Sequence, residues 1–254
     1  MISKAKLKDF ASYRMQKKCD EEQVFVVEGP KLAKEALLSK VKVSVICCTS
    51  DWYNENKDLV DSKVLSENVY EITDIELERL SQLKTPNKVW LLVQNVENEP
   101  LEKSFGGLTL VLDKIQDPGN LGTIIRIADW FGIRHVVCSK DTVNCFNTKV
   151  VQATMGGIFR TNVYYTNLEE YLTECQKREI PVYGTLLSGE NVYNIDLQQD
   201  GVLVVGNESK GISEEVQKFV SHKVSIPNFG GTCESLNASV ATGIFCSEFF
   251  RRKF

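Results

Sequence analysis

From Leu108 onward, short apolar runs alternate with stretches in which apolar residues recur at helical spacing. Leu108 to Leu112 is a run of strand length. Asp117-Pro118-Gly119-Asn120 then punctuates a turn, and Leu121, Ile124, Ile125 and Ala128 mark one face of a helix reaching Phe131. The same reading predicts strands over His135 to Cys138, Asn162 to Tyr165, Val182 to Thr185, Gly201 to Val205 and Lys223 to Ile226. Helices are predicted near Lys149 to Gly156, Leu168 to Arg178, Ser213 to Phe219 and Ser235 to Arg252. Strands interleaved with helices of this length imply an α/β fold, with a mostly parallel sheet and helices on both faces.

Ahead of this region, strands are predicted over Val24 to Val27, Val41 to Cys48, Val69 to Ile72 and Val89 to Val93. Helices are expected over Lys31 to Leu38 and over Asp74 to Leu83 with Asp74 as N-cap, while the polar stretch Asp51 to Asp61 reads as loop or helix. Residues 1–95 thus form a small α/β domain. The polar segment 96–107, with Pro100 and the Gly106-Gly107 pair, reads as a linker, and 108–254 as the second domain.

Composition mainly excludes. A chain of 254 residues with 43% hydrophobic content can build one large or two modest cores. No apolar run approaches the roughly 18 residues of a membrane-spanning helix, and the charged start lacks a leader's apolar core, so a cytoplasmic protein is expected. The eight cysteines form no CxxC pair and several sit in apolar runs, which suits reduced structural thiols. The two histidines, His135 and His222, lie in no ligand-like cluster, so neither a metal site nor a serine-histidine triad is expected. A net charge of -4 argues against indiscriminate coating of nucleic acid. Near the start, however, Lys4, Lys6, Lys8, Arg14, Lys17 and Lys18 stand against the single acid Asp9, reading equally as a solvated helix face or a phosphate-contacting patch.

Three strand-loop-helix junctions carry the candidate chemistry. At the first, Asn120 and Arg126 follow the Asp-Pro-Gly turn; Asn often caps helices and Arg on an early turn is often merely solvated. The glycines there fit neither the dinucleotide fingerprint nor the NTPase phosphate loop, since no Lys-Ser/Thr pair follows Gly122. At the second, Gly206-Asn207-Glu208-Ser209-Lys210-Gly211 follows a buried strand, and its glycines let main-chain groups approach an anion or an adenosine edge. A plain turn with Ser213 as cap explains Gly211 and leaves Glu208 unexplained. At the third, Ile226-Pro227-Asn228-Phe229-Gly230-Gly231 leads to Ser235, Asn237 and Ser239, poor helix-interior residues beside an apolar pattern of Leu236, Val240, Ile244, Phe245 and Phe249. Those polar residues cap the helix or reach into a site.

Together the junctions resemble the SpoU (TrmH-type) branch of the SPOUT superfamily, RNA ribose 2′-O-methyltransferases that use S-adenosylmethionine. The resembling motifs are DPGNLGTIIRIA at Asp117 to Ala128, VGNESKGIS at Val205 to Ser213 and IPNFGGTCESLNASVA at Ile226 to Ala241. Phe25 to Ala33 resembles the substrate-binding domain that precedes the catalytic domain in many members. The resemblance implies a C-terminal trefoil knot, an exception to the unknotted rule, and a homodimer with its site near the subunit interface. It implies a cofactor held largely by backbone groups at Gly206, Ile226 and Leu236, with Thr185, Leu186, Asn207, Gly211 and Pro227 as neighbours. The matching catalytic arginine is Arg126, with Asn120 beside it, while Glu208, Ser235 and Asn237 shape the site; no metal is called for. Thr154 stands where many members carry Ser, and Trp130, bulkier than the usual small residue, reads as core packing rather than base stacking.

The chemistry suits these residue types. A ribose 2′-hydroxyl is a weak nucleophile, and alignment supplies much of the acceleration. An arginine guanidinium ordinarily stays protonated, so Arg126 would align the hydroxyl and a substrate phosphate and stabilise developing oxyanion charge, with Asn120 orienting the same group; literal base action needs an unusual environment. The expected substrate is ribosomal RNA, on the likeness of the N-terminal domain to those of ribosomal enzymes. The alternatives are a transfer RNA ribose methyltransferase, an RNA-binding assembly factor without turnover, and a small-molecule α/β enzyme.

Overall fold

The computed structural model describes residues 2–198 and 200–251. The chain divides into two compact units: the first takes the chain up to Glu97 together with Phe146–Phe159, the second takes Asn98–Cys145 and the chain from Arg160 on.

The first unit contains, in order, α1 (Lys4–Ala11), α2 (Gln16–Glu22), β1 (Val24–Glu28), α3 (Pro30–Leu38), β2 (Val43–Cys48), α4 (Ser50–Lys63), β3 (Val69–Glu71), α5 (Asp74–Leu80) and β4 (Val89–Gln94). Its four-stranded sheet has the order β1-β4-β2-β3, with β4 antiparallel to both neighbours and β3 parallel to β2. The predicted cap of α5 moves by one residue: Thr73, not Asp74, is the N-cap, in a reciprocal capping box with Glu76. The segment from Phe146 joins this unit through aromatic packing, with Phe25 stacked on Phe146 at 4.8 Å and tilted against Phe159 at 6.3 Å. Gln152 Nε2 also donates to the Glu28 carbonyl at 2.9 Å.

The second unit begins with β5 (Leu108–Leu112), α6 (Pro118–Phe131) and β6 (His135–Ser139). After α7 (Thr148–Thr154), which lies in the first unit, come β7 (Asn162–Thr166), α8 (Leu168–Lys177), β8 (Val182–Asn191), β9 (Gly201–Val205), α9 (Glu214–Gln217), β10 (His222–Ser225) and α10 (Ala238–Arg251). Six strands in the order β10-β8-β9-β5-β6-β7 form an all-parallel sheet. Every residue of β5, β6 and β9 is buried, which requires cover on both faces. On one face Val111, Val137, Val202 and Val204 pack with Leu168, Leu172, Cys175, Ile212 and Val216 of the α8–α9 region. Elsewhere α6 and α10 pack together, and Phe131 stacks on Phe250 at 5.4 Å. The segment read as a linker carries a short 3-10 turn, Leu101–Phe105, whose Phe105 stacks on Tyr171 at 5.1 Å.

Several sequence boundaries shift, three of them for a plain local reason. α6 starts at Pro118 rather than Leu121, because Asp117 caps it and Pro supplies the helical φ of a first position. β8 continues past Thr185 to Asn191: after Lys223 pairs with Gly184, the register jumps so that Val224 faces Glu190, leaving 185–189 without a partner on β10. α10 starts at Ala238 rather than Ser235, because the Asn237 side chain accepts from Ser239 N at 3.0 Å and Val240 N at 3.2 Å. Arg252, the predicted end of that helix, lies outside the described residues. Trp130, expected in the core, is 84% exposed on α6.

Candidate active site

The three junctions open where β5, β9 and β10 end, so a parallel sheet delivers their loops to one edge. The α6 N-terminus is set by Asp117, whose Oδ1 accepts the Asn120 N–H at 2.8 Å. Asn120 is therefore not the cap. It lies in the first turn of α6 with its side chain buried and 7% exposed.

That side chain joins all three motifs. Asn120 Nδ2 donates to Glu208 Oε1 at 2.6 Å, and Asn120 Oδ1 accepts from Asn237 Nδ2 at 2.9 Å. Asn237 Oδ1 in turn accepts the Ser239 hydroxyl at 2.6 Å as well as the capping N–H groups. Each amide has one donor end and one acceptor end in use, so the order Glu208, Asn120, Asn237 fixes both flips. A buried polar group satisfied this way is costly to disturb, because its partners lose their bonds too.

The β9 loop is a tight hairpin. Asn207 and Gly211 exchange main-chain hydrogen bonds of 3.0 and 2.9 Å, and Gly211 has φ +69°. A Cβ at Gly206 would stand 2.2 Å from the Gly211 carbonyl carbon and 2.3 Å from Ile212 N, so only glycine fits there. The Asn207 side chain is spent on the turn: it donates to the Lys114 carbonyl at 2.8 Å and accepts from Ser209 N and Lys210 N. With the Asn120–Glu208 bond, the first junction is thus tied to the second by three side-chain hydrogen bonds, since buried Asp113 also accepts the Ser213 N–H at 2.7 Å. Of the further residues here, Asp113 and Lys114 carried no sequence signal; Asp117 lay in the predicted turn, as the residue before a Pro at a helix start, and Ser239 was among the polar residues expected to cap the helix or reach into a site.

The remaining candidates divide. Arg126 is exposed on α6, roughly 9 Å of helical rise beyond Asn120, and its guanidinium makes no hydrogen bond or ion pair among the described residues. Ser235 is exposed in the loop before Asn237 and is not part of the hydrogen-bonded chain. Thr185 Oγ1 donates to the Val204 carbonyl at 3.0 Å, and Leu186, Ile226 and Pro227 are half-buried. Leu236 is 50% exposed and precedes α10, so it is not part of that helix's buried face. The main-chain groups of Gly206, Ile226 and Leu236 enter no hydrogen bond among the described residues. Uncommitted amides and carbonyls beside apolar side chains can hold a flat, polar-edged ring.

A cavity of about 240 Å³ opens at the ends of β5, β6 and β7, lined by Asp113, Lys114, Lys140, Asn167, Glu169 and Glu215 among others. None of the sequence-predicted site residues lines it. Glu215 is held below the usual carboxylate range, first by its own main-chain N–H at the start of α9.

Residues 107–247 match the SpoU rRNA Methylase family, and residues 4–90 match the MRM3-like substrate binding domain. The chain is 31% identical to the 23S rRNA (guanosine(2553)-2′-O)-methyltransferase RlmP of Bacillus subtilis, over 94% of this chain and 93% of that protein. A solved TrmH-family chain from Porphyromonas gingivalis superposes with a TM-score of 0.86 at 37% identity, covering 99% of each chain. The AdoMet-bound rRNA methyltransferase structure from Sinorhizobium meliloti superposes with a TM-score of 0.86 at 27% identity, covering 100% of this chain and 97% of that one.

Proposed function

The chain belongs to the SpoU rRNA methylase family, and we propose that it transfers a methyl group from S-adenosylmethionine to a guanosine ribose 2′-hydroxyl of 23S ribosomal RNA. The hydrogen-bonded chain Glu208–Asn120–Asn237 carries this reading, because it locks three distant segments into one constellation. The cofactor is the one bound in the Sinorhizobium meliloti structure, and the target class is that named for the Bacillus subtilis relative.

The residues present fit the cofactor. The free main-chain groups of Gly206, Ile226 and Leu236 would face the adenine and ribose edges, with Leu186 and Pro227 against the ring. Thr185, Asn207 and Gly211 act one step back: Asn207 and Gly211 hold the hairpin that presents Gly206, and Thr185 is anchored on β9. When bound, the cofactor supplies an electrophilic methyl group on sulfonium.

Arg126 is the substrate-facing cation of the site. Its guanidinium is unpaired and exposed, so it is free to bind the phosphate beside the target ribose and steady charge developing on the 2′-oxygen. Glu208, Asn120 and Asn237 position the loops, and Ser235 supplies a hydroxyl from the exposed loop before Asn237 to orient the nucleotide. In a cell the site of action is the cytoplasm, where ribosomal RNA is found; no helix among the described residues is long and apolar enough to cross a membrane.

The working unit is a homodimer. α6 and α10 pack together yet leave Trp130 84% and Val240 52% exposed, apolar side chains near opposite ends of the two helices that suit a second copy. Methyl transfer to 23S transcripts tests the activity, and sedimentation of Trp130→Glu tests the dimer: a shift to monomer is expected, and an unchanged mass would exclude this face.

A further inference from the structure

The Lys4 to Lys18 patch is the largest cation excess visible in sequence, and folding pairs two of its six cations, Lys17 and Lys18, with acids. Lys18 Nζ lies 2.5 Å from Asp9 and 3.8 Å from Glu22, over the Tyr13 ring at 4.2 Å. Lys17 lies 3.9 Å from Glu21, and Lys6 Nζ donates to the Tyr70 hydroxyl at 2.5 Å.

A second cation set, sharing only Arg14 with that patch, is left open at the end of the first unit where β1 and β2 finish and β4 begins. Arg14, Lys31, Lys84, Lys88 and Lys149 are exposed there, and none of their side chains makes an ion pair or hydrogen bond among the described residues. Main-chain bonds gather them. Gly29 N donates to Val89 O and Thr49 N to Lys88 O, both at 2.9 Å, which sets the start of α3 beside Lys88. Gln82 N donates to Glu28 Oε1 at 3.0 Å, laying the loop that carries Lys84 over the end of β1. Gln82 Nε2 donates to Thr148 Oγ1 at 3.0 Å, which brings in Lys149. Arg14 is near enough to Glu28 to favour its ionised form.

The acids at this end include Glu28, Glu35, Asp51 and Glu71, the last exposed opposite Cys48 where β2 finishes. Glu28 is buried and accepts from Ser81 and Gln82, so it offers nothing to solvent. Glu35 sits against Gly156, and Asp51 lies in the first turn of α4. Positive charge therefore dominates this surface of a chain whose net charge is -4. Lys88 is displayed at a backbone cost: Val89 N donates to Asn87 O at 2.6 Å across Lys88, a γ-turn with φ +57° at a non-glycine residue. The start of α3 adds its partial positive charge, with no acid in the first turn.

We infer that this end of the first unit, built from Arg14, Lys31, Lys84, Lys88 and Lys149, grips the phosphate backbone of the RNA substrate. The inference rests on the reading of the chain as an RNA methyltransferase, and replaces the Lys4 to Lys18 patch as the electrostatic footprint. Point-charge lysines on a rigid sheet end suit register-setting contacts to phosphate, with base identity read elsewhere.

The test uses the full-length protein and a labelled transcript of 23S rRNA spanning position 2553, the guanosine in the Bacillus subtilis relative's name. One variant combines Lys84→Ala, Lys88→Asn and Lys149→Ala, with Asn chosen because it tolerates positive φ. A control combines Lys4→Ala, Lys8→Ala and Lys17→Ala, the same loss of charge. Each phosphate contact removed should lower the salt slope of log binding by about 0.7–0.9, so the first variant should lose about 2–3 from its slope. Its KM for the transcript should rise at least about tenfold with kcat preserved, while the control keeps both. Thermal melts matching the parent exclude misfolding. A parent that methylates the transcript together with a first variant of unchanged slope and KM would overturn the inference alone, and point to an acidic protein as the partner of this surface. Equal losses in both triple variants would overturn it as well. A parent that binds the transcript but transfers no methyl group would instead overturn the proposed function.

Discussion

Replacing Asn120 by Asp exchanges one atom group at the centre of the constellation. Asn120 Nδ2 donates to Glu208 Oε1 at 2.6 Å, while its Oδ1 accepts from Asn237 at 2.9 Å. In Asn120→Asp the second bond survives and the first becomes a contact between two carboxylates. A hydrogen bond to a charged group contributes about 1.5–3 kcal/mol. Two like charges about 4 Å apart repel by about 4 kcal/mol at an effective dielectric near 20. The full repulsion is not reached, because one carboxylate takes up a proton and restores a bond. The net loss near pH 8 should be about 2–4 kcal/mol, or roughly 5–15 °C in melting temperature for a unit of this size. It should shrink as the pH falls toward 5, where the pair shares a proton. Combining Asn120→Asp with Glu208→Gln reverses donor and acceptor and should recover about 1–3 kcal/mol, read as the coupling in a double-mutant cycle. Melts and methyl transfer at both pH values are the assays. If Asn120→Asp melts and turns over like the parent at pH 8, or if Glu208→Gln rescues nothing, the joined constellation is not what holds the site.

Arg126→Ala should leave the melt within about 0.5 kcal/mol of the parent, since the side chain is exposed and unpaired, yet cut kcat by about 10²–10³; unchanged turnover would remove Arg126 from the mechanism. Gly206→Ala forces a Cβ to 2.2 Å from Gly211, so overpacking should cost about 1–3 kcal/mol or more and weaken S-adenosylmethionine binding by calorimetry, and wild-type affinity would show that the hairpin yields. Burial pushes the Glu28 carboxyl above its ordinary value of 4.5, outweighing the hydrogen bonds from Ser81 and Gln82 and the pull of Arg14. A raised acid favours the folded state most below 4.5 and loses that contribution as pH rises through its raised value. Glu28→Gln should therefore gain stability on the parent as melts move from pH 4 to pH 8; parallel curves would mean that Glu28 titrates normally.

Much of the second unit was legible because its central strands are buried on both faces. β5 and β9 fall where their apolar runs begin and end, and β6 runs one residue beyond its predicted end, since a fully covered strand leaves an unbroken hydrophobic signature; the part-exposed edge strand β7 also runs one residue further. Where partners lie far along the chain, the sequence was silent. The second half of β8 exists only because Val224 and Ser225 pair with Glu190 and Asn191, and 186–191 alone shows no strand pattern. The start of α10 was misplaced because Asn237 spends its side chain on the cap, which turns Ser235 and Leu236 into loop.

The apolar stripe of that helix also misled. Val240 is exposed, while Ala238, Ser239, Thr242, Phe245, Cys246 and Phe249 face inward, and buried Thr242 satisfies its hydroxyl on the Ala238 carbonyl at 2.7 Å. The stripe is thus split: Phe245 and Phe249 are core, while Val240 and Leu236 are open, as Trp130 is on α6. Among the site residues, motif spacing pointed to Asn120, Glu208 and Asn237, but no spacing could show that one amide bonds to the other two. The membership of Phe146–Phe159 in the first unit was equally hidden, since it depends on Phe25 more than a hundred residues away.

The most direct measurement is transfer of labelled methyl groups from S-adenosylmethionine to 23S rRNA that lacks the modification, followed by nucleoside analysis and site mapping. The account predicts one 2′-O-methylguanosine, formed by the parent and lost in Arg126→Ala. Label on a base, label confined to transfer RNA, or no label from a folded protein that binds the cofactor would contradict it.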